Sequence, residues 1–363
     1  MKTLLVITKA EIGGAQSFIL TLAKGLKKYD NQVAVAAGEG TFLPEELKKE
    51  NINFFRLNNL KRSKNPLSVI SFILELKKLI DKGQFDVLHL NSTNTLPGVL
   101  AVKFAKQKPK VIFTVHGLSV LDPNYKTLEI IKFIFKIYFK FFLQFVDKVV
   151  FVSKYNLVEA TKQKIIKDGI VIYNGLDINQ DYFLNRSQAR EDLGELIGVN
   201  LSGYYVIGSI GRLATQKNYN FIINSWPAIK KVKANAKLII IGEGPERERY
   251  KILIEKMKAK SDIFLPGEMN NASRLLRGLD LFVLPSVYEG LSISLIEAGF
   301  SDISILASDV GGNREIIGAE NCFILNNEES LINKLNNNLV THMEQSSFSA
   351  NSMVKKYKEV YEI

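Results

Sequence analysis

Short apolar runs alternate along this chain with longer stretches in which apolar residues return every third or fourth position. In the first half the mainly apolar runs lie at 4–7, 33–37, 52–57, 86–90, 110–115, 148–152 and 170–173. Such runs predict strands covered on both faces, as in a parallel sheet. Between them, 15–29, 66–80 and the region near 96–106 carry helical periodicity. Strands alternating with helices predict a doubly wound α/β domain. A polar interruption rich in Asn, Asp and Gly occupies 175–203, with room for one short helix at most. The alternation then restarts, with strands near 205–210, 237–241, 262–265, 281–284 and 304–307 and helices including 219–232 and 245–260. The expected organisation is therefore a domain at 1–178, a linker at 179–203, a second domain at 204–345 and a terminal helix at 346–363. Two such sheets in one chain predict a ligand at the C-terminal strand edges, in a cleft between the domains.

Composition narrows the class. With 363 residues, 46% hydrophobic and 23% charged, the chain reads as two soluble globular domains and excludes a disordered or fibrous protein. Cys322 is the single cysteine, so no internal disulfide forms and a cytoplasmic setting is expected. The first apolar run, 3–8, is too short for a signal peptide and is followed by Lys9 and Glu11. No stretch of about 18 apolar residues predicts a spanning helix.

Charge changes the picture more. Residues 1–180 hold 27 Lys and Arg against 15 Asp and Glu, whereas 181–363 hold 21 against 22. The excess points to a polyanionic partner for the first half, either nucleic acid or an anionic membrane. In 126–148, Lys132, Lys136 and Lys140 recur every four residues among Phe133, Phe135, Phe139, Phe141, Phe142 and Phe145. That pattern suits a bilayer interface, and equally a helix packed on a sheet with its lysines in solvent. No recognition helix, zinc finger or RNA-binding signature is present, so nucleic acid is not the expected partner.

Several motifs sit at strand ends. Gly13-Gly14 follows the first strand, where glycines admit a ligand to a helix N-terminus or simply make a tight turn. Arg212 and Lys217 lie in the strand-to-helix loop that opens the second domain, either as a diphosphate cradle or as surface cations. The segment 288–298 carries Glu289 in a loop and Glu297 about two helical turns on. Glu297 is suited to a vicinal diol such as a ribose, or to a structural salt bridge. His116 ends the strand 110–115, as a sugar hydrogen-bonder, a general base or a structural residue. His89 is similar but less specific, and His342 receives no role.

Taken together and in order, these pieces resemble the retaining glycosyltransferases of family 4, the group 1 glycosyl transferases. The matching pieces are Gly-Gly-Ala at 13–15, Thr-Val-His-Gly at 114–117, Val-Ser at 152–153, Ile-Tyr-Asn-Gly-Leu-Asp at 172–177 and Gly-Arg-Leu with Lys217. They continue with Ile-Gly-Glu-Gly-Pro at 241–245, Pro-Ser-Val-Tyr-Glu-Gly at 285–290 with Glu297, and Ser-Asp-Val-Gly-Gly at 308–312 followed by Glu315. The resemblance implies the GT-B architecture, α/β with two Rossmann-like doubly wound parallel-sheet domains facing across a cleft. It implies that the last helix crosses back to the first domain. It further implies that Arg212 and Lys217 hold the diphosphate of a UDP- or GDP-linked sugar and that Glu297 binds the ribose. Glu289, with Gly290, Leu291 and Ser292, would contact sugar and phosphates, His116 the sugar, and Gly14 and Gly242 the donor. The chain departs from the family pattern at Asp302-Ile303-Ser304 and at Asn321-Cys322, behind the donor site.

The implied reaction moves a hexose-type sugar from the nucleotide-diphospho-sugar, a co-substrate, to a saccharide or lipid-linked acceptor in surface polysaccharide or glycolipid assembly. Neither cofactor nor metal is expected, and no Asp-x-Asp site is present. The basic first domain is expected to meet an anionic membrane at the inner face of the cell membrane. The competing readings are a nucleotide-sugar epimerase of the same fold and a degenerate sugar-nucleotide-binding partner subunit.

Overall fold

The computed structural model describes residues 1–29, 32–61, 65–337 and 343–362; His342 lies outside them. The chain forms two compact units, Met1–Asp177 with Ser346–Ile363, and Ile178–Gln345.

The first unit is built on β1 (Lys2–Ile7), β2 (Gln32–Ala37), β3 (Asn53–Arg56), β4 (Val87–Asn91), β5 (Lys110–Val115), β6 (Lys148–Phe151) and β7 (Ile170–Val171). Every neighbour pairs in parallel, in the order β3-β2-β1-β4-β5-β6-β7. The order reverses beside β1, and the loops after β1, β4 and β5 therefore open at the switch point where α/β sheets take ligands. Helices Pro66–Gly83, Val99–Phe104 and Glu129–Leu143 cover one face, through residues such as Phe72, Leu76, Val99, Phe139 and Leu143. Helices Gly14–Lys28, Phe42–Lys49 and Ala350–Glu362 cover the other.

Helix Ala350–Glu362 buries Met353, Val354, Tyr357, Val360 and Tyr361, the spacing of a single helix face. It lies so close to helix Gly14–Lys28 that a Cβ at Gly25 would overlap the Val354 side chain. A buried polar chain ties it to the sheet. His89 Nδ1 is 2.7 Å from the Tyr361 hydroxyl, and His89 Nε2 is 2.7 Å from Thr114 Oγ1, which is 2.9 Å from the Tyr357 hydroxyl. Lys110 Nζ donates to the Val360 carbonyl at 2.7 Å, at the end of the helix where cations are favoured.

The second unit comprises β8 (Tyr205–Ile210), β9 (Ala236–Ile241), β10 (Ile263–Gly267), β11 (Leu281–Leu284), β12 (Ser304–Ser308) and β13 (Cys322–Phe323). It is parallel throughout, ordered β10-β9-β8-β11-β12-β13.

Two expectations are corrected. Residues 179–203 are not a plain linker: they carry the 12-residue helix Arg186–Ile197, which packs on the 3-10 segment Ala272–Gly278 within the second unit. It buries only Ala189, Leu193 and Gly194, too narrow a stripe to register as periodicity. Its anchor is polar instead. Arg186 and Arg190 both pair with Asp280, which also accepts the Val206 N–H at 2.7 Å. The single helix expected at 219–232 is two, Tyr219–Asn224 and Trp226–Val232, because Pro227 cannot donate to the preceding turn.

Removing the Tyr361 hydroxyl leaves His89 Nδ1 unpaired in a fully buried site. Tyr361→Phe is expected to cost the first unit about 1–3 kcal/mol. In urea the circular-dichroism transition of that unit moves to lower denaturant, while fluorescence of the single tryptophan, Trp226 in the second unit, keeps its midpoint. Burial also holds His89 well below its ordinary 6.5 and lowers His116 to about 4. Both therefore bind fewer protons folded than unfolded. The first unit loses stability as pH falls from about 6.5 towards 4, read as a falling melting temperature.

Candidate active site

The loops at the carboxyl edge of the second sheet are stitched to one another. Gly211 N–H donates to the Ile241 carbonyl at 3.0 Å, Leu213 N–H to Glu243 at 2.8 Å and Glu246 N–H to Leu213 at 2.9 Å. A Cβ at Gly242, whose φ is +152°, would sit on the Gly211 carbonyl oxygen. Gly242 thus lets the strand end press against the loop that carries Arg212. Arg212 itself is exposed, and its guanidinium makes no hydrogen bond or ion pair among the described residues.

Lys217 closes the one-turn segment Thr215–Lys217, and its Nζ lies 2.7 Å from Glu289 Oε1. Glu289 is only 7% exposed, and the same oxygen accepts the Ser286 hydroxyl at 2.7 Å. The segment 285–292 is anchored on both sides. Val287 N–H donates to the Gln216 carbonyl at 2.8 Å, the Gln216 amide returns a bond to the Tyr288 carbonyl at 3.0 Å, and Gly312 N–H reaches the Gly290 carbonyl at 2.9 Å. Gly311, with φ +54°, brings its backbone against the Glu289 carbonyl where a side chain would overlap. Gly290, Leu291 and Ser292 are buried at the turn into helix Ile293–Phe300. That helix has no side-chain cap and no acidic residue in its first turn. Its leading N–H groups are therefore donors suited to an anion.

Glu297 lies on that helix, half-buried between Ile296 and Ala298. Burial raises its carboxyl to about 7, against a hydrogen bond from Ser273 that lowers it. The Ser273 hydroxyl is 2.7 Å from that of Tyr182. Glu297 makes no ion pair among the described residues, so its partner is a hydroxyl rather than a cation. Tyr182 and Ser273 had no signal in the sequence; Tyr182 falls in the stretch expected to be a linker.

The first unit presents a second group of residues. Gly13 and Gly14 start helix Gly14–Lys28, where no side chain caps the amides and the Gln16 amide donates to the Lys9 carbonyl at 2.9 Å. His116 follows β5, its Nε2 3.0 Å from Asn91 Oδ1 and its ring edge-on to Phe18 at 4.7 Å. With its pKa at about 4, the imidazole is neutral near pH 7, which suits a hydrogen-bonding partner better than a general base. His89 is spent in the buried network with the terminal helix.

Two family models cover most of the chain. "Glycosyltransferase Family 4" matches residues 12–180 and "Glycosyl transferases group 1" matches 198–352. The O-antigen biosynthesis glycosyltransferase WbnH of Escherichia coli is 26% identical over 360 residues, 98% of this chain and 96% of that protein. The Escherichia coli UDP-Gal:alpha-D-GlcNAc-diphosphoundecaprenol alpha-1,3-galactosyltransferase is 24% identical over 294 residues, 79% of this chain and 72% of that one. In fold, the chain is similar to Anabaena HepE in complex with UDP and glucose, with a TM-score of 0.81 at 16% identity over 100% of this chain and 99% of the other. A glycosyltransferase from Rickettsia africae gives 0.77 at 23% identity, over 99% and 97%. With two parallel-sheet units of GT-B type and both halves matched in order, the chain belongs to the group 1, family 4 glycosyltransferases.

Proposed function

We propose that the protein transfers a hexose-type sugar, with retention and without a metal, from a UDP- or GDP-linked donor to a lipid-linked or saccharide acceptor at the inner face of the cell membrane. The observation that carries this reading is the buried Lys217–Glu289 pair, on loops that also present the exposed Arg212 and the uncapped start of helix Ile293–Phe300. The relative that acts on a diphosphoundecaprenol-linked sugar and the fold neighbour that holds UDP and glucose support it.

In the proposed reaction the bond between the anomeric carbon and the diphosphate breaks, leaving negative charge on the departing oxygen. Arg212, Lys217 and the leading amides of helix Ile293–Phe300 meet that charge. The acceptor hydroxyl attacks from the face the diphosphate leaves, and its proton passes to the departing phosphate oxygen. Glu289 holds Lys217 in place and meets the transferred sugar, together with Gly290, Leu291 and Ser292. Glu297 accepts the ribose hydroxyls. In the first unit, His116 meets the sugar and Gly14 the phosphates. An epimerase needs an acid/base set, and an imidazole with its pKa at about 4 is a poor start for one.

Thermal shift with UDP, GDP and a panel of their sugars tests the reading. A nucleotide at about 100 times its Kd is expected to stabilise the protein by about 2.7 kcal/mol. Arg212→Ala and Glu297→Ala lose that shift; a wild type that responds to no nucleotide overturns the reading in favour of a degenerate partner subunit. In turnover, Arg212→Ala is expected to lose about 10²–10³ in kcat with unchanged melting temperature, because the side chain is exposed. Lys217→Met behaves differently. It strands the Glu289 carboxylate and costs about 3–5 kcal/mol of stability as well as activity.

Nucleotide affinity is also expected to fall as pH drops through about 7, where the Glu297 carboxylate takes up a proton. Glu297→Gln binds more weakly and removes that dependence. A glycosyl adduct on Glu289 seen by mass spectrometry would replace same-face attack with a covalent route.

A further inference from the structure

The 126–148 segment turns out to be oriented otherwise than its lysines suggest. Helix Glu129–Leu143 sinks only Phe139 and Leu143 fully into the first unit. Of its lysines, Lys132 and Lys136 are half-buried and Lys140 is exposed. The outward face is apolar. Ile130, Phe133, Ile134, Ile137 and Phe141 are 50–59% exposed and fall at i, i+3, i+4, i+7 and i+11, the spacing of one helix face. Helix Pro66–Gly83, which covers the same side of the sheet, repeats the feature with Leu67, Ile70 and Leu74, each more than half exposed. Contiguous apolar surface of this kind marks an interaction site.

The charges beside it identify the occupant. Lys136 and Lys140, one turn apart, lie on one flank of the apolar face, where long stems rest on apolar surface, whereas Lys132 turns towards the sheet side and pairs with Glu129 at 3.2 Å. Past the end of the helix the apolar row passes into a basic hollow. Phe141 packs edge-on against Phe145 at 5.8 Å, and Lys103 lies 5.2 Å over the Phe145 ring. Phe145, Lys103 and Lys148 line a cavity of about 720 Å³, bordered also by Lys108 and Lys110, whose ammonium groups are engaged by the carbonyls of Val102 and Lys103 and of Val360. Its single carboxylate, Asp147, is engaged by the Val111 N–H at 2.7 Å. Over 99–148 the chain has nine lysines and three acidic residues. A second copy of this face would bring like charges together, whereas an anionic leaflet complements them. No helix among the described residues is long and apolar enough to cross a membrane, so the contact is interfacial.

We propose that the apolar face of helix Glu129–Leu143 inserts into the interface of an anionic phospholipid bilayer, with its lysine flank and the basic hollow against the head groups. This deepens the proposed function by naming the surface at which a lipid-linked acceptor is met, and it rests on that reading.

The test uses the full chain carrying Phe133→Trp, whose emission stands against the buried Trp226 of the second unit. Vesicles of phosphatidylcholine alone are compared with vesicles of equal parts phosphatidylcholine and phosphatidylglycerol. The expected result is a blue shift, with quenching by brominated acyl chains, on the anionic vesicles only and weaker at high salt. Ile134→Ser with Ile137→Ser is expected to lower vesicle partitioning about tenfold or more. Each of Lys136→Gln and Lys140→Gln is expected to lower it about fivefold. Co-sedimentation without a shift of the Phe133→Trp emission overturns the proposal, as does equal binding to neutral vesicles. So does a dimer, seen by sedimentation velocity, that the isoleucine substitutions dissolve while vesicle binding persists. All variants are also melted with and without nucleotide. Loss of vesicle binding with an intact nucleotide shift sets the membrane face apart from the donor site. A wild type that binds vesicles but no nucleotide overturns the transferase reading and leaves the membrane face standing.

Discussion

Both sheets are parallel and their central strands are covered on both faces, and most of the structure follows from that constraint. A strand such as β1 or β8 has almost no side chain free to meet solvent, so chemistry is confined to strand ends. The parallel direction then gathers those ends on one edge of each unit. In the second unit the loops after β8, β9, β11 and β12 share that edge and are joined by backbone hydrogen bonds. Arg212, Lys217, Glu289 and the start of helix Ile293–Phe300 are held by this stitching rather than by local preference. The glycines at 242 and 311 serve the same end, since a side chain at either would push two loops apart.

The two units tune their ionisable groups in opposite senses. In the first, burial drives His116 towards the neutral form. In the second, burial pushes Glu297 towards its neutral form too, but here neutrality means holding a proton, and Ser273 offsets it only in part. Lys217 and Glu289 instead meet each other at 2.7 Å, so removing either leaves the other without its charged partner in a largely buried place.

The alternation of apolar runs and helical periods was enough to read two doubly wound sheets, because strands buried on both faces leave a strong signal. Gly14, His116, Arg212, Lys217 and Glu289 were legible as candidates because each lies in a loop after an apolar run, and Glu297 because it is a carboxylate in an otherwise apolar helix. Helix Arg186–Ile197 was not legible, since Asp280 and close backbone approach hold it in place of an apolar stripe. For the same reason Tyr182 and Ser273 had no signal, as their hydrogen bond joins residues 91 positions apart. The lysine repeat in 126–148 was legible as a stripe. Which side of the helix faces outward was not, because aromatic residues surround it and only packing against the sheet selects Phe139 and Leu143.

The terminal helix has a consequence for synthesis. Ala350–Glu362 completes the core of the first unit, yet it is translated after the whole of the second. While the ribosome makes 178–345, Phe18, Leu22 and Leu26 lack the Val354, Tyr357 and Tyr361 that later cover that side, and His89 has no phenol to bond. The nascent first unit therefore waits, with an apolar flank open to chaperones, and closes only when the last helix leaves the exit tunnel.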